Sequence, residues 1–158
     1  MRAVFAKGFT LVELLLVMGL ISVLASFAVV NIIRPQTRAS IDTTVTTIAA
    51  DLKSQQLKAM AGGTESAGTS QPYGIYFESD QYTLFKGTVY SAEDSDNFII
   101  SLDDEIDLQT SFPGAYVIFL RNSGEVEGFD EGLDEITISS EGESRTINVN
   151  RYGALLIN

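Results

Sequence analysis

A single carboxylate, Glu13, interrupts an otherwise uncharged apolar run that extends from Phe9 to Ile33. A basic residue and a glycine, Lys7 and Gly8, directly precede this run. A carboxylate in hydrocarbon is destabilising unless a cation or a hydrogen-bond donor pairs with it. The chemistry that this pattern predicts is therefore pairing of Glu13 with a specific cation or hydrogen-bond donor.

Two further groups of carboxylates lie later in the chain and raise the question of metal binding or hydrolysis. The first is Glu93, Asp94, Asp96, Asp103, Asp104, Glu105 and Asp107, and the second is Glu125, Glu127, Asp130, Glu131, Asp134 and Glu135. The first group departs from the helix–loop–helix calcium pattern, because Phe98 and Ile99 occupy the positions of a ligand and of the turn glycine. No spacing selects a catalytic pair, and acidic runs are typical of solvated faces or guarded strand edges. We expect no metal, no cofactor and no enzymatic activity; calcium at one of these clusters is the alternative that remains open.

The composition excludes several classes of protein. The chain has no cysteine and no histidine, and its net charge is −11. The missing residues exclude disulfides, thiol nucleophiles, histidine-based acid–base catalysis and most zinc sites. The acidic balance argues against nucleic acid as a partner, because a DNA-binding surface has to neutralise phosphates with lysine and arginine.

The apolar run is long enough to span a membrane. As a helix it would measure about 37 Å, against about 30 Å for the hydrocarbon core of a bilayer. A cleaved signal peptide and a plain single-span anchor are the alternatives. The run exceeds the usual apolar region of a signal peptide, about 7–15 residues, and neither alternative explains Glu13. Basic residues flank the run almost equally on both sides, so charge alone does not decide its orientation.

Residues 1–30 resemble the N-terminus of type IV prepilins and pseudopilins. That family has a short basic leader ending in glycine, then phenylalanine, then glutamate at the fifth position of the mature chain. Here these residues are Lys7, Gly8, Phe9 and Glu13. The resemblance implies that residues 1–8 are a leader recognised through Lys7. It also implies that prepilin peptidase cuts between Gly8 and Phe9, and that the new amine is methylated to give N-methylphenylalanine.

The resemblance further implies a location and a role for Glu13. Residues 9–33 would cross the inner membrane once, with the N-terminus in the cytoplasm and the C-terminal domain in the periplasm or outside the cell. An inner-membrane assembly platform would then transfer the subunit from the membrane lipids into a pilus or pseudopilus filament. There the Phe9 amine of one subunit would pair with Glu13 of a neighbouring pilin or pseudopilin. Because a subunit out of register leaves both charges unpaired in a low-dielectric core, the pair would set axial register.

A one-sided apolar stripe predicts that the helix continues through residues 34–61. Its members recur at steps of three, four or seven residues, and they are Ile41, Val45, Ile48, Leu52 and Ala59. We expect this stripe to pack on a sheet, and Gly62-Gly63 to end the helix. Pro35 lies inside the helix and predicts a kink, because proline removes a backbone hydrogen bond.

From residue 62 onward the sequence predicts an antiparallel β domain. Segments rich in β-branched and aromatic residues alternate with turn signals, and they are YGIYFES, QYTLFKG, NFIISL, AYVIFLRN, EITISS, RTINVN and ALLI. The expected fold is α+β, a pilin fold. In it a long N-terminal helix, membrane-spanning in its first half and amphipathic in its second, packs on a C-terminal antiparallel sheet within residues 62–158.

The order of these elements is similar to the pseudopilin H family of type II secretion and to related minor pilins. The matching residues are Gly74-Ile75-Tyr76-Phe77, Ile118-Phe119 with Gly124, and Ile147-Asn148-Val149 with Gly153. The similarity implies a minor subunit of a type II secretion or type IV pilus filament. A major pilin and a DNA-uptake minor pilin are the alternatives. The second is disfavoured because no basic residue follows Arg151.

Overall fold

The chain divides into two compact units, Met1–Thr37 and Arg38–Asn158. The structure is a computed structural model that describes residues 10–61 and 71–158; within the helix, the side chains of residues 26–39 are not described. The N-terminal helix, α1, comprises Leu11–Ala61. The glycines expected to end it, Gly62 and Gly63, lie outside the described residues. The helix assignment includes Pro35, but its side chain lies outside the described residues, so the kink expected there stays a prediction.

The described residues contain eight strands, which form two four-stranded sheets. The strands are β1 (Tyr73–Phe77), β2 (Gln81–Lys86), β3 (Phe98–Ser101), β4 (Asp107–Thr110), β5 (Tyr116–Phe119), β6 (Glu135–Ser140), β7 (Glu143–Val149) and β8 (Leu155–Ile157). The first sheet has the order β3-β2-β1-β5 and the second the order β4-β6-β7-β8. Neighbouring strands are antiparallel in both sheets.

The predicted α+β class is confirmed, and the structure adds two features that the sequence pattern did not predict. The β strands form two sheets rather than one. Strand β4 falls at the end of the first acidic group, where a solvated run was expected. Its signal is a short alternation: Ile106 and Leu108 are buried, whereas Asp107 and Gln109 are more accessible. A short 3₁₀ turn, Pro113–Ala115, connects β4 to β5.

A continuous apolar core joins the C-terminal part of α1 to both sheets. The expected stripe forms the helical side of this core, with no member more than 4% exposed. The first sheet contributes Ile75, Phe77 and Tyr82, and the second contributes Ile136, Ile138 and Ile147. Burial of one such aliphatic side chain is worth about 1.5–3 kcal/mol. This core therefore holds the second half of α1 on the β domain.

Candidate functional site

The residues of the expected cleavage site, Lys7, Gly8 and Phe9, lie outside the described residues. Glu13 is the candidate site residue whose surroundings the structure describes. In the described part of the chain, which leaves out the side chains of residues 26–39, no helix is both long enough and apolar enough to cross a membrane.

Glu13 lies in the first turn of α1, and its side chain is exposed. Thr10 immediately precedes the helix. Its hydroxyl Oγ1 accepts a hydrogen bond from the backbone N–H of Glu13 at 3.3 Å, and its carbonyl accepts one from the N–H of Leu14 at 3.1 Å. Thr10 is therefore the N-cap, and Thr10 with Glu13 has the spacing of a capping box. The positive end of the helix dipole also favours a carboxylate here.

The geometry is compatible with two roles for Glu13. One is local, as the acidic member of a capping box within a single chain. The other is pairing with a cation of another molecule, which its exposed carboxylate can reach. The pattern that drew attention to Glu13 did not identify Thr10, although the spacing Thr-x-x-Glu was available as a signal.

The apolar side chains around Glu13 have no cover within the described residues. Every side chain described from Thr10 to Ala25 is exposed. Leu14, Leu15 and Leu16 follow one another along the helix and therefore point in different directions, yet they are 54%, 61% and 67% exposed. A helix that is apolar on all sides requires an apolar environment or partner helices. Residues 10–25 therefore require an apolar environment that the described residues of the same chain do not supply.

At the other end of α1, a hydrogen-bond network around Gln56 connects the helix to two loops of the β domain. The Gln56 side chain is 8% exposed. Its Nε2 donates to the carbonyl of Gly124 at 2.9 Å and to that of Tyr152 at 2.7 Å. The Lys53 ammonium donates to Gln56 Oε1 at 3.0 Å and to the carbonyl of Gly153 at 2.8 Å. We call these five residues the Gln56 network.

The N-terminal segment of the chain, which contains Glu13, matches a known family. Residues 5–29 match the family model for the prokaryotic N-terminal methylation motif. The chain carries the N-terminal motif of type IV prepilins and pseudopilins. This match confirms the resemblance at the level of the superfamily, and it includes Lys7, Gly8, Phe9 and Glu13. It does not distinguish the pseudopilin H family from other pilin-like proteins. Searches of curated proteins and of solved structures gave no match.

Gly124 and Gly153 belong to the Gln56 network. Both were among the residues on which the similarity to the pseudopilin H family rested. Gly124 and Gly153 have φ of 68° and 69°, a left-handed conformation that favours glycine. A Cβ at Gly124 would lie 2.7 Å from Cγ of Met60, and one at Gly153 would overlap Nε2 of Gln56. Both glycines therefore turn the chain where α1 approaches it closely.

The importance of Gln56 was not recognised from the sequence of the pilin-like chain. A signal was present, because Gln56 lies four residues after Leu52 and three before Ala59, on the buried stripe. A polar side chain at a buried position has to find hydrogen-bond partners. The spacing indicated that such partners exist, but not that they lie in the two loops.

A second polar contact fixes α1 on the first sheet of the β domain. Tyr82 is fully buried, and its hydroxyl donates to Oδ2 of Asp51 at 2.7 Å. Burial, together with the hydrogen bond to Asp51 and its negative charge, raises the pKa of the Tyr82 phenol well above its ordinary value. The phenol therefore stays protonated and remains the donor.

The two acidic groups of the pilin-like chain are mostly exposed. Among the described residues, no three carboxylates converge as ligands for a metal ion. The expected absence of a metal and the calcium alternative both stay predictions.

Proposed function

We propose that this chain is a minor pilin-like subunit of a type II secretion or type IV pilus filament. The observation that carries the proposal is a coincidence within residues 11–25: these residues belong to the methylation motif, and their apolar side chains are exposed on all sides of the helix. Membrane lipids before assembly and neighbouring helices after it would cover such a surface. The motif itself is typical of structural subunits rather than of enzymes.

The proposed maturation follows from the motif. Prepilin peptidase removes the leader, residues 1–8, by cutting after Gly8, and the amine of Phe9 is methylated. The amine then lies four residues before Glu13 along the chain. Exposure of the Glu13 side chain supports pairing with the amine of another subunit, because its carboxylate is accessible from outside its own chain. This pairing defines the register of the subunit in the filament.

The proposed location has two stages. Residues 9–33 first hold the chain in the inner membrane, with the N-terminus in the cytoplasm and residues 62–158 in the periplasm or outside the cell. The assembly platform then moves the subunit into the filament. Residues 34–61, with a kink at Pro35, connect the anchor to the β domain. The core between α1 and both sheets supports a domain that moves as one body with the second half of the helix.

Position in the filament distinguishes a minor subunit from a major pilin. We expect a fluorophore on the β domain to give sparse or terminal label on filaments sheared from cells, because the order of elements resembles that of minor subunits. Label would be counted along single filaments by fluorescence microscopy, with the same fluorophore on a known major subunit as the control. Dense label along every filament would identify a major pilin instead. Absence of label from all filaments would contradict both roles.

A further inference from the structure

Strand β3 is an open edge of the first sheet. It pairs with β2 on one side, in the register Gln81↔Ser101 and Thr83↔Ile99, and no described strand lies on its other side. The N–H of Leu102, the next residue, donates to the carbonyl of Asp80 at 2.8 Å. Residues along an antiparallel pair alternate between facing the partner and facing away. The N–H and C=O groups of Ile99 and Ser101 therefore point outward, away from β2.

The side chains of β3 border cavities on the face that is turned toward α1. Phe98 and Leu84 line a cavity of about 570 Å³ together with residues of α1. Ile100 lines a second cavity of about 150 Å³. Phe98 itself is 65% exposed, and Ile99, on the opposite face, is 55% exposed. A strand added beside β3 would therefore find main-chain partners along its length and room for alternate side chains next to α1.

Charge at the two ends of β3 indicates the chemistry of such a strand. Exposed carboxylates precede β3 and follow it, and they are Glu93, Asp94, Asp96, Asp103, Asp104 and Glu105. They complement a segment with basic residues at both ends. A second copy of this chain is disfavoured, because it would bring the same carboxylates and a net charge of −11 to the contact.

We propose that β3 is a docking edge for an extended segment of a partner protein that carries a large apolar side chain between basic ends. The segment adds a strand to the first sheet through the outward groups of Ile99 and Ser101, and its apolar side chain enters the cavity beside Phe98. This contact lies in the β domain and does not depend on assembly through Glu13.

The test uses a synthetic probe peptide of alternating valine and threonine, with a photoreactive benzophenone side chain at its centre and two lysines at each end. Binding to the full chain in uncharged detergent is measured by fluorescence anisotropy, and the crosslinked residues are mapped by mass spectrometry. The matched peptide carries glutamates in place of the lysines. We expect the lysine peptide to bind at least about tenfold more tightly than the glutamate peptide and to crosslink at Phe98 or at residues of the adjoining cavity.

Two proline variants separate the docking edge from general effects on the fold. Ile99→Pro removes an outward N–H that β2 does not use, so the sheet tolerates it. Ile157→Pro makes the same change at the outer edge of the second sheet. Asn158, the next residue, exchanges hydrogen bonds with Thr146 of β7, so the N–H of Ile157 points away from β7. We expect Ile99→Pro to weaken binding of the lysine peptide at least about tenfold and Ile157→Pro to leave it unchanged.

A charge variant serves if Ile99→Pro lowers the melting temperature. The double variant Glu93→Lys with Asp104→Lys reverses one charge at each end of β3 without altering the strand. It should lower the affinity for the lysine peptide and reduce the salt dependence of binding. Equal binding of both peptides, crosslinks outside β3 and its cavities, or unchanged affinity in these variants would overturn the proposal. Failure of the lysine peptide to bind would also overturn it and would mark the carboxylates as guards of an exposed edge. A dimer of the chain that Ile99→Pro dissociates would replace the basic partner with a second copy.

Discussion

Replacement of Glu13 by glutamine is expected to leave cleavage after Gly8 intact and to abolish incorporation into filaments. Glutamine is as suitable as glutamate for the capping box with Thr10, so the start of α1 is preserved. It carries no charge, so the amine of a neighbouring subunit would be left without its partner. Loss of one member of a buried ion pair costs about 3–5 kcal/mol, which corresponds to more than a hundredfold in the equilibrium for assembly.

The matched control for Glu13→Gln is Thr10→Ala. It removes the hydroxyl that caps the helix, at a cost of about 1 kcal/mol, but keeps the carboxylate. The fraction of each variant in sheared filaments would be measured by immunoblot, with the mature N-terminus of each verified by mass spectrometry. If Glu13→Gln entered filaments normally and Thr10→Ala did not, Glu13 would act only in capping the helix, and the pairing would be refuted.

Substitution of Gly153 by alanine is expected to lower the free energy of unfolding by about 2–5 kcal/mol. The backbone at Gly153 has φ of 69°, and an L-residue in this conformation costs about 1–2 kcal/mol. The added methyl group would also overlap Nε2 of Gln56 and displace it from the carbonyls of Gly124 and Tyr152. A buried polar group left without a partner costs about 1–3 kcal/mol more.

Gly128→Ala isolates the contribution of the Gln56 network. Gly128 has a similar φ of 61°, but a Cβ there would meet nothing within 4 Å. This variant should therefore lose only the backbone term of about 1–2 kcal/mol. Both variants would be compared with the original chain by urea unfolding in the same uncharged detergent, followed by tyrosine fluorescence. Equal losses in the two variants would mean that the close approach of α1 to Gly153 contributes nothing to stability.

Local patterns were sufficient to predict much of this fold. The spacing of Ile41, Val45, Ile48 and Leu52 identified the buried face of α1, because a helical stripe is a property of neighbouring residues. Glu141-Gly142, between the predicted strands EITISS and RTINVN, also carries a turn signal in the sequence. Both residues have positive φ, 46° and 85°, as a two-residue hairpin between β6 and β7 requires.

Contacts between distant segments could not be predicted in the same way. The carbonyls that accept hydrogen bonds from Gln56 lie 68 and 96 residues further along the chain, so no local spacing specifies them. The division of the strands into two sheets depends on which strands pair. Although β4 follows β3 in the chain, it pairs with β6 in the second sheet. The open edge of β3 follows from that division. The sequence therefore showed the acidic residues on both sides of β3 but not the open strand edge between them.

The mass of the mature N-terminal peptide tests the central claim most directly. The chain would be expressed in cells with and without prepilin peptidase, and its N-terminal peptide analysed by mass spectrometry. A processed pilin-like subunit should begin at Phe9 and carry one additional methyl group in the presence of the peptidase, and should keep residues 1–8 in its absence. Retention of Met1 in both strains, or a cut within the apolar run as in a signal peptide, would contradict the account.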